Sequence, residues 1–190
     1  MNIFYFSHNF QENAKFHCDR HAIKMILEHA QILSTAHRVL DGQLVIEKSK
    51  TGRRQSKYKL SNELDSILYS STHVNHPSTI WARSSKENYL WLANMTKALA
   101  EEYTYRYGKI HKCQDSGLID TLINNIPNNI PDKPFTEPTP AMDIQYVIKS
   151  DSIGIVDSIA SYRNYFNKAK RHLFDWKNRN VPYWVELDAI

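Results

Sequence analysis

Glycine is scarce in this sequence, with 5 residues in 190, and neither GxxxxGK followed by Ser or Thr nor GxGxxG occurs. The shortage argues against a glycine-rich β fold, and the missing motifs exclude the two common phosphate-cradling loops. The 2 cysteines are too few for a disulfide framework, which favours a reducing cytoplasm, that of the host cell if the protein is viral. No apolar run approaches the length of a membrane span, so we expect no membrane partner.

The composition is that of an ordinary globular domain, with 42% hydrophobic and 23% charged residues, and the length suits one domain over residues 1–190. The net charge of +4 is concentrated in two basic zones, residues 42–60 and 162–179, each with a net charge of +5. Such zones are either solvated surface or the contact surface for a polyanion. In the second interpretation we predict that the DNA backbone is contacted by Lys48, Lys50, Arg53, Arg54, Lys57, Lys168 and Arg171.

Residues 16–40 contain neither Pro nor Gly and predict a long helix, which we extend over residues 11–40 and end before Asp41-Gly42. At 100° per residue, one arc of this helix is apolar and the opposite stripe is polar. The apolar arc consists of Cys18, Ala22, Met25, Ile26, Ala30, Leu33, Ala36 and Leu40. The polar stripe consists of His17, Arg20, His21, Lys24, Glu28, Gln31, Thr35 and Arg38. It is either an ordinary solvated face or a functional surface, and its histidines and amide favour the second.

Shorter elements complete a prediction of a mainly α fold. The run 3–6 is a strand or a tucked-in arm, and the segments around residues 44–46 and 58–60 flank a basic tip, forming a hairpin or a mobile loop. A short helix follows at residues 61–69, and a second long helix opens at Asn75-His76-Pro77 and ends at Gly108. Residues 126–140 hold five of the seven prolines, so we expect an extended segment wrapped over the body. Further helices are predicted at residues 115–124 and 157–178. The expected architecture is a compact single-domain helical bundle with two long helices.

Nine histidines raise the question of a metal site. His17 and His21 lie one turn apart, but no third ligand stands at a diagnostic offset and HExxH is absent. We therefore predict no metal and no other cofactor. Cys18 lies on the apolar arc, which favours a buried structural thiol over a nucleophile.

Two segments together resemble the pyrimidine-dimer DNA glycosylase family of the phage endonuclease V type. The first runs from Asp19 to Met25 and continues through Glu28 and residues 31–33. The second contains Asn75-His76-Pro77 with Trp81, followed by Glu102-Tyr103 and Arg106-Tyr107-Gly108. The resemblance covers about a third of the chain. It implies a compact helical domain that binds duplex DNA, in which a primary amine attacks the deoxyribose C1′ with help from a helix-borne carboxylate.

The sequence departs from that family at both reactive groups. The phage enzyme uses the α-amine of a small residue exposed by removal of Met, whereas here Asn2 follows Met1. The family's helical Arg-Glu pair falls on Arg20-His21, so the expected catalytic Glu is missing and Asp19 and Glu28 are the nearest carboxylates. The fold and the nucleic-acid partner therefore carry over better than the reaction does.

The residues themselves allow a mechanism. Lys24 is an amine between Arg20 and Glu28, and it is either a nucleophile or a phosphate-binding cation, depending on which neighbour dominates. Asp19 is either the N-cap of a helix that starts at Arg20 or a half-buried carboxylate with a partner. In the second case Asp19, or else Glu28, would stabilise the positively charged sugar, and His21 or His76 would move a proton. The predicted catalytic residues are Asp19, His21, Lys24 and Glu28. The predicted substrate-binding residues, for a base edge, a displaced base or a phosphate, are His17, Arg20, Gln31, Arg38, His73, Asn75, His76, Trp81 and Arg83.

Three classes of function follow. The first is a DNA glycosylase and abasic-site lyase. The second is a non-lyase relative that binds nucleic acid or a nucleotide, in base modification or in nucleotide sequestration, and the missing Glu favours it. The third is a structural or regulatory protein whose helices form an interface. The two basic zones favour extended DNA over a small nucleotide.

Overall fold

Two long helices carry the architecture of this protein, for which a computed structural model describes residues 1–48, 51–150 and 154–187. The elements, in chain order, are α1 (Phe10–Phe16), α2 (Asp19–Asp41), β1 (Gln43–Lys48), β2 (Arg54–Lys59), α3 (Leu64–Ile67), α4 (Pro77–Ser84), α5 (Lys86–Tyr107), α6 (Lys112–Asp115), α7 (Leu118–Asn124), β3 (Ile148–Lys149), β4 (Val156–Asp157) and α8 (Ser158–Ala169). Short 3-10 helices occupy Ile144–Tyr146 and Arg171–Leu173. The expected mainly α fold is confirmed.

The core forms where α2 packs against α5, with α1 against α5 and α4 against α2. The predicted apolar arc of α2 is buried: Met25, Ile26 and Leu33 are all fully inaccessible to solvent. Leu92, Met95 and Leu99 of α5 are equally buried. Because these residues recur at helical spacing on both helices, burying them fixes the rotation of each helix about its own axis.

Each of the two predicted long helices is interrupted near its start. The helix expected over residues 11–40 is interrupted at His17 and Cys18, whose backbones are extended. The second long helix is interrupted at Ser85, which has φ −151° and ψ 140°. The Ser85 hydroxyl accepts a hydrogen bond from the backbone N–H of Glu87 and donates one to the carbonyl of Lys133, 2.6 Å away. It thus caps α5 and anchors the proline-rich segment at the same point.

For two segments the sequence allowed two alternatives each, and the structure shows that residues 3–6 form an arm and residues 43–59 contain a hairpin. Residues 3–6 form no strand and instead lie buried in the core as an N-terminal arm. Strands β1 and β2 form an antiparallel hairpin, with Leu44 opposite Tyr58 and Lys48 opposite Arg54. The last helix is shorter than predicted, because α8 ends at Ala169 and a 3-10 turn follows.

The proline-rich segment, residues 126–140, contains neither helix nor strand and lies over α4 and α5, as expected. The indole Nε1 of Trp81 donates to the carbonyl of Thr136 at 2.8 Å, and Asn88 exchanges two hydrogen bonds with Thr136. These bonds satisfy buried polar groups on the helices while fixing a chain that has no regular structure of its own.

Candidate functional site

The exposed part of the polar stripe on α2 brings primary amines to a half-buried carboxylate. Lys24 Nζ lies 2.9 Å from Glu28 Oε1, one helical turn away. The amino nitrogen of Met1 lies 3.9 Å from Glu28 Oε2, and the backbone N–H of Asn2 donates to the same oxygen at 3.3 Å. The Glu28 side chain is only 13% exposed, whereas that of Lys24 is 65% exposed. The carboxylate is therefore held in place by the N-terminal arm, while the lysine remains accessible.

The arm is positioned by contacts on both sides. The Asn2 side chain donates to the carbonyl of Ala141 at 3.0 Å, and its oxygen accepts from the backbone N–H of Ile3. The backbone N–H of Ala141 in turn donates to the hydroxyl of buried Tyr162. The segment after the proline-rich stretch therefore holds the arm against Glu28.

Residues from the start of α4 border the same surface. Burial lowers the pKa of His76, and the charges of the Met1 amine and of His73 lower it further. The charge of Glu28 acts in the opposite direction, so the pKa of His76 responds both to residue 1 and to Glu28. Its Nδ1 also accepts from the backbone N–H of Ser78, which makes it the cap of α4. His76 is therefore predominantly a neutral side chain at the edge of the site.

Farther along α2, Gln31 is partly buried, and Thr35 links the stripe to the chain before α4. The Thr35 hydroxyl donates to the carbonyl of Gln31 at 2.7 Å and accepts from the backbone N–H of Thr72 at 3.1 Å. His73 and Asn75 are exposed there, and His73 adopts a positive φ of 47°. Arg20 is exposed at the other end of the stripe.

Asp19, a candidate catalytic carboxylate, is engaged elsewhere. Its Oδ1 accepts from Arg106 Nη1 at 2.9 Å, and both its oxygens accept from the backbone N–H of Lys177 at 3.1 Å. Arg106 also donates to Glu102 at 2.7 Å, and Arg179 donates twice to that same carboxylate. Burial alone would raise the pKa of Glu102, but the hydrogen bonds and charges of Arg179 and Arg106 outweigh it and hold the pKa below its usual range. These contacts are those of a structural ion-pair network.

Arg38, a candidate substrate ligand, is 5% exposed. It donates to the carboxylate of Asp65 and to four backbone carbonyl oxygens, those of Tyr58, Asp65, Leu68 and Tyr69. The guanidinium has five N–H donors, so these bonds saturate it. Arg38 therefore joins α2 to the hairpin and to the segment around α3.

His17 and His21 lie inside the protein, where burial lowers the pKa of His17 to about 4 and that of His21 to about 3. The ring of Phe4 stacks on His21 with centroids 4.2 Å apart. Trp81 is 4% exposed, and Arg83 donates to the carbonyl of Val74 at 2.7 Å. Burial thus places His17, His21 and Trp81 in the core rather than on an open binding surface.

The basic zones differ in how their charges are engaged. Lys57 and Lys59 both pair with Glu47, whereas Lys48 and Arg54 are exposed and directly opposite each other. Lys50 lies outside the described residues, and Arg53 has interactions within the molecule. In the second zone, Lys168 lies 3.5 Å from Glu186, and Arg171 donates to the carbonyls of Asn167 and Glu186.

Three features of this region went unrecognised in the sequence. The Met1 amine reaches Glu28 through a buried arm that has no helical or strand period. Arg106 was noticed only as part of a resemblance, although its spacing to Glu102 indicates an i,i+4 pair. His29 was passed over, yet it is fully buried and neither of its ring nitrogens finds a hydrogen-bond partner among the described residues.

Within the described ranges, no group of three or more His, Cys, Asp or Glu side chains is arranged to hold a metal ion. Among the same residues, no helix is both long enough and apolar enough to cross a membrane. Comparison of the chain with family models, with curated proteins and with solved structures finds no match.

Proposed function

We propose that this protein acts on DNA as an amine-based glycosylase and abasic-site lyase, with Lys24 as the nucleophile and Glu28 as the proton acceptor. The observation that supports the proposal is the pair itself, a solvent-accessible primary amine 2.9 Å from a carboxylate that is largely withdrawn from water. A nucleophile and its base must lie within hydrogen-bond reach, and this pair does.

The proposed reaction uses both groups in turn. The neutral Lys24 amine forms a bond to the deoxyribose C1′ while the bond from C1′ to the base breaks, and the base departs with the bonding electrons. The proton released from the amine passes to Glu28. The bond from C1′ to the ring oxygen then breaks as the nitrogen lone pair forms the C=N bond, and Glu28 returns its proton to that oxygen. The product is a protonated imine between Lys24 and C1′, which is the species that precedes strand cleavage. At an existing abasic site, the aldehyde condenses with the amine and releases water to give the same imine.

Other polar groups around the Lys24–Glu28 pair are placed where the proposed reaction would need them. The backbone N–H of Asn2 on Glu28 fixes the carboxylate, and His76 supplies a neutral imidazole at its edge. Gln31, His73 and Asn75 lie beyond it as candidates for hydrogen bonds to a displaced base. We assign Asp19 and Arg38 to structural roles, because their polar atoms are engaged within the protein.

A second candidate is a relative that binds nucleic acid or a nucleotide without cleaving it. The exposure of Lys24 is the observation that favours it, because a charged lysine that is 65% exposed suits a phosphate, whereas attack on C1′ requires the free amine. The two candidates share one surface and differ in whether a covalent imine forms.

The test is borohydride trapping on a labelled duplex that contains one abasic site, because borohydride reduces an imine to a stable amine. We expect a protein–DNA adduct with the native protein and a rate of adduct formation at least about 10²-fold lower with Glu28→Gln, the magnitude typical of a general base. The matched control is Glu101→Gln, an exposed carboxylate on α5. An adduct that forms equally fast with Glu28→Gln contradicts the proposed role of Glu28.

Salt dependence separates the second candidate from the first. If no adduct forms while duplex affinity falls steeply with salt, the protein binds DNA without lyase chemistry. If affinity is confined to mononucleotides and changes little with salt, the partner is a nucleotide.

A further inference from the structure

The β1–β2 hairpin presents two faces of different chemistry. Residues directly opposite each other in an antiparallel pair lie on the same side, and the sides alternate along each strand. One face, here called the apolar-basic face, therefore carries Leu44, Ile46, Lys48, Arg54, Ser56 and Tyr58. The other, the paired face, carries Gln43, Val45, Glu47, Gln55, Lys57 and Lys59.

The charges on the paired face are partly compensated within the hairpin. The Glu47 carboxylate lies 3.7 Å from Lys57 Nζ and also forms an ion pair with Lys59. The hydrogen bond and charge of Lys59 hold the pKa of Glu47 below its usual range. The carboxylate of Glu47 thus neutralises part of the positive charge of Lys57 and Lys59.

The apolar-basic face has no such balance. Lys48 and Arg54 are direct cross-strand partners, and among the described residues no carboxylate oxygen forms an ion pair with either. Like charges directly opposite each other destabilise a sheet. On the same face, Leu44 is 57% exposed and Ile46 is 61% exposed. Two exposed aliphatic side chains beside two uncompensated cations are the features of a surface that meets an anionic partner with apolar groups of its own.

The hairpin stands at a fixed distance from the Lys24–Glu28 pair. It begins directly after α2, and Arg38 ties it back through the carbonyl of Tyr58 at 3.0 Å. Ten residues of helix separate Glu28 from Arg38, which corresponds to about 15 Å at 1.5 Å per residue. That length spans roughly four base pairs of a duplex at 3.4 Å each. A duplex that runs along α2 with one nucleotide at Glu28 would therefore reach the base of the hairpin within half a helical turn.

We propose that the apolar-basic face of the hairpin enters the major groove of duplex DNA, with Lys48 and Arg54 on phosphates or guanine edges and Leu44 and Ile46 on thymine methyl groups. This inference rests on the proposed function for its DNA partner, but not on the lyase chemistry. A two-stranded ribbon fits the major groove of B-DNA, which is about 12 Å wide, and not the minor groove at about 6 Å. The deep, narrow major groove of duplex RNA does not admit such a ribbon, so of the two kinds of duplex only DNA fits the proposal.

The first experiment compares the two faces with the same change in charge. Affinity for an undamaged 20-base-pair duplex is measured between 50 and 200 mM salt for Lys48→Gln/Arg54→Gln and for Lys57→Gln/Lys59→Gln. We expect the first double variant to bind on the order of tenfold more weakly at 100 mM salt, with a salt slope smaller by about 2, since each phosphate contact contributes about 0.9. The second double variant, Lys57→Gln/Lys59→Gln, should change the salt slope by less than about 1. Equal losses from the two faces overturn the proposal.

The second experiment tests contact with thymine methyl groups, which project only into the major groove. The same duplex is prepared with uracil in place of thymine, and both duplexes are bound to the native protein and to Leu44→Ser/Ile46→Ser. We expect the native protein to lose about threefold or more on the uracil duplex, as burial of a methyl group implies. The variant should bind both duplexes equally. A uracil effect that persists in the variant overturns the proposal, as does tighter binding to single strands.

These measurements are independent of the trapping experiment, because the duplex contains no abasic site. Face-specific binding without a borohydride adduct refutes the lyase proposal and supports the inference about the hairpin. A borohydride adduct together with equal losses of affinity from the two faces supports the lyase proposal and refutes the inference about the hairpin.

Discussion

The fully buried guanidinium of Arg106 donates to the carboxylate of Asp19 at 2.9 Å, joining the last turn of α5 to the first residue of α2. Arg106 also donates to the carbonyl oxygens of Lys15, in the last turn of α1, and of His17, in the break that precedes α2. One side chain thus satisfies the backbone where the predicted continuous helix is interrupted.

Replacement of Arg106 should therefore be costly. We expect Arg106→Met to lower the free energy of unfolding by about 3–5 kcal/mol, because it leaves buried partners of the guanidinium without their donor. Urea denaturation measures the change. Arg179→Met, at a side chain that is 26% exposed, is the control and should have a smaller effect. A loss below about 1 kcal/mol for Arg106→Met would show that the network is not structural.

Arg38 should control the hairpin rather than the chemistry. We expect Arg38→Gln to destabilise the protein by about 2–4 kcal/mol, since several buried carbonyl oxygens lose their donor. Amide hydrogen exchange in β1 and β2 should accelerate more than exchange in α5. The yield of the borohydride adduct per folded molecule of Arg38→Gln, measured on a short abasic duplex, should equal that of the native protein. Unchanged exchange in the hairpin would contradict the anchoring role.

Buried histidines predict a loss of stability in acid. Burial lowers the pKa of His17 to about 4 and that of His29 to about 3, whereas an unfolded histidine titrates near 6.5. The unfolded state therefore binds more protons below pH 6.5, so the stability present above that pH is lost as the pH falls toward 4. For each residue, the loss at pH 5 is about 2 kcal/mol. Urea denaturation between pH 7.5 and 5 measures it.

His29 allows a sharper version of that prediction. The Ile3 backbone lies beside the His29 ring, but outside hydrogen-bond geometry. His29→Leu should therefore raise stability at pH 7.5 by about 1–3 kcal/mol and flatten the dependence on pH. His37→Leu is the control, because His37 Nε2 lies 2.8 Å from the Tyr89 hydroxyl and its loss should not stabilise. A destabilised His29→Leu would indicate that His29 has a partner.

The sequence predicted well where burial alone decides structure. The apolar arc of α2 and the stripe of α5 were identified by their period, because a helix with one buried face repeats its contacts every turn. Gly108 was identified as a helix end because glycine is the usual residue at a left-handed C-cap, and its φ of 63° confirms this. The hairpin was one of two alternatives, since its strands are short and largely exposed.

The polar stripe on α2 was predicted less well. It was treated as one surface, but His17, His21, Thr35 and Arg38 are buried beneath segments distant in sequence. The spacing of residues along a helix predicts which side chains share one face. It does not predict which other segments of the chain pack over that face. Phe4 and the hairpin provide that cover, and neither follows from the pattern of α2. Lys24 and Glu28 remain together because an i,i+4 pair is local.

The most direct measurement is borohydride trapping on abasic duplex DNA, with the adduct digested and the modified amine located by mass spectrometry. We predict one adduct on Lys24, its loss in Lys24→Ala, and its retention in Lys97→Ala, an exposed lysine on α5. Absence of an adduct from the native protein, or an adduct of unchanged yield in Lys24→Ala, would contradict the assignment of amine chemistry to Lys24.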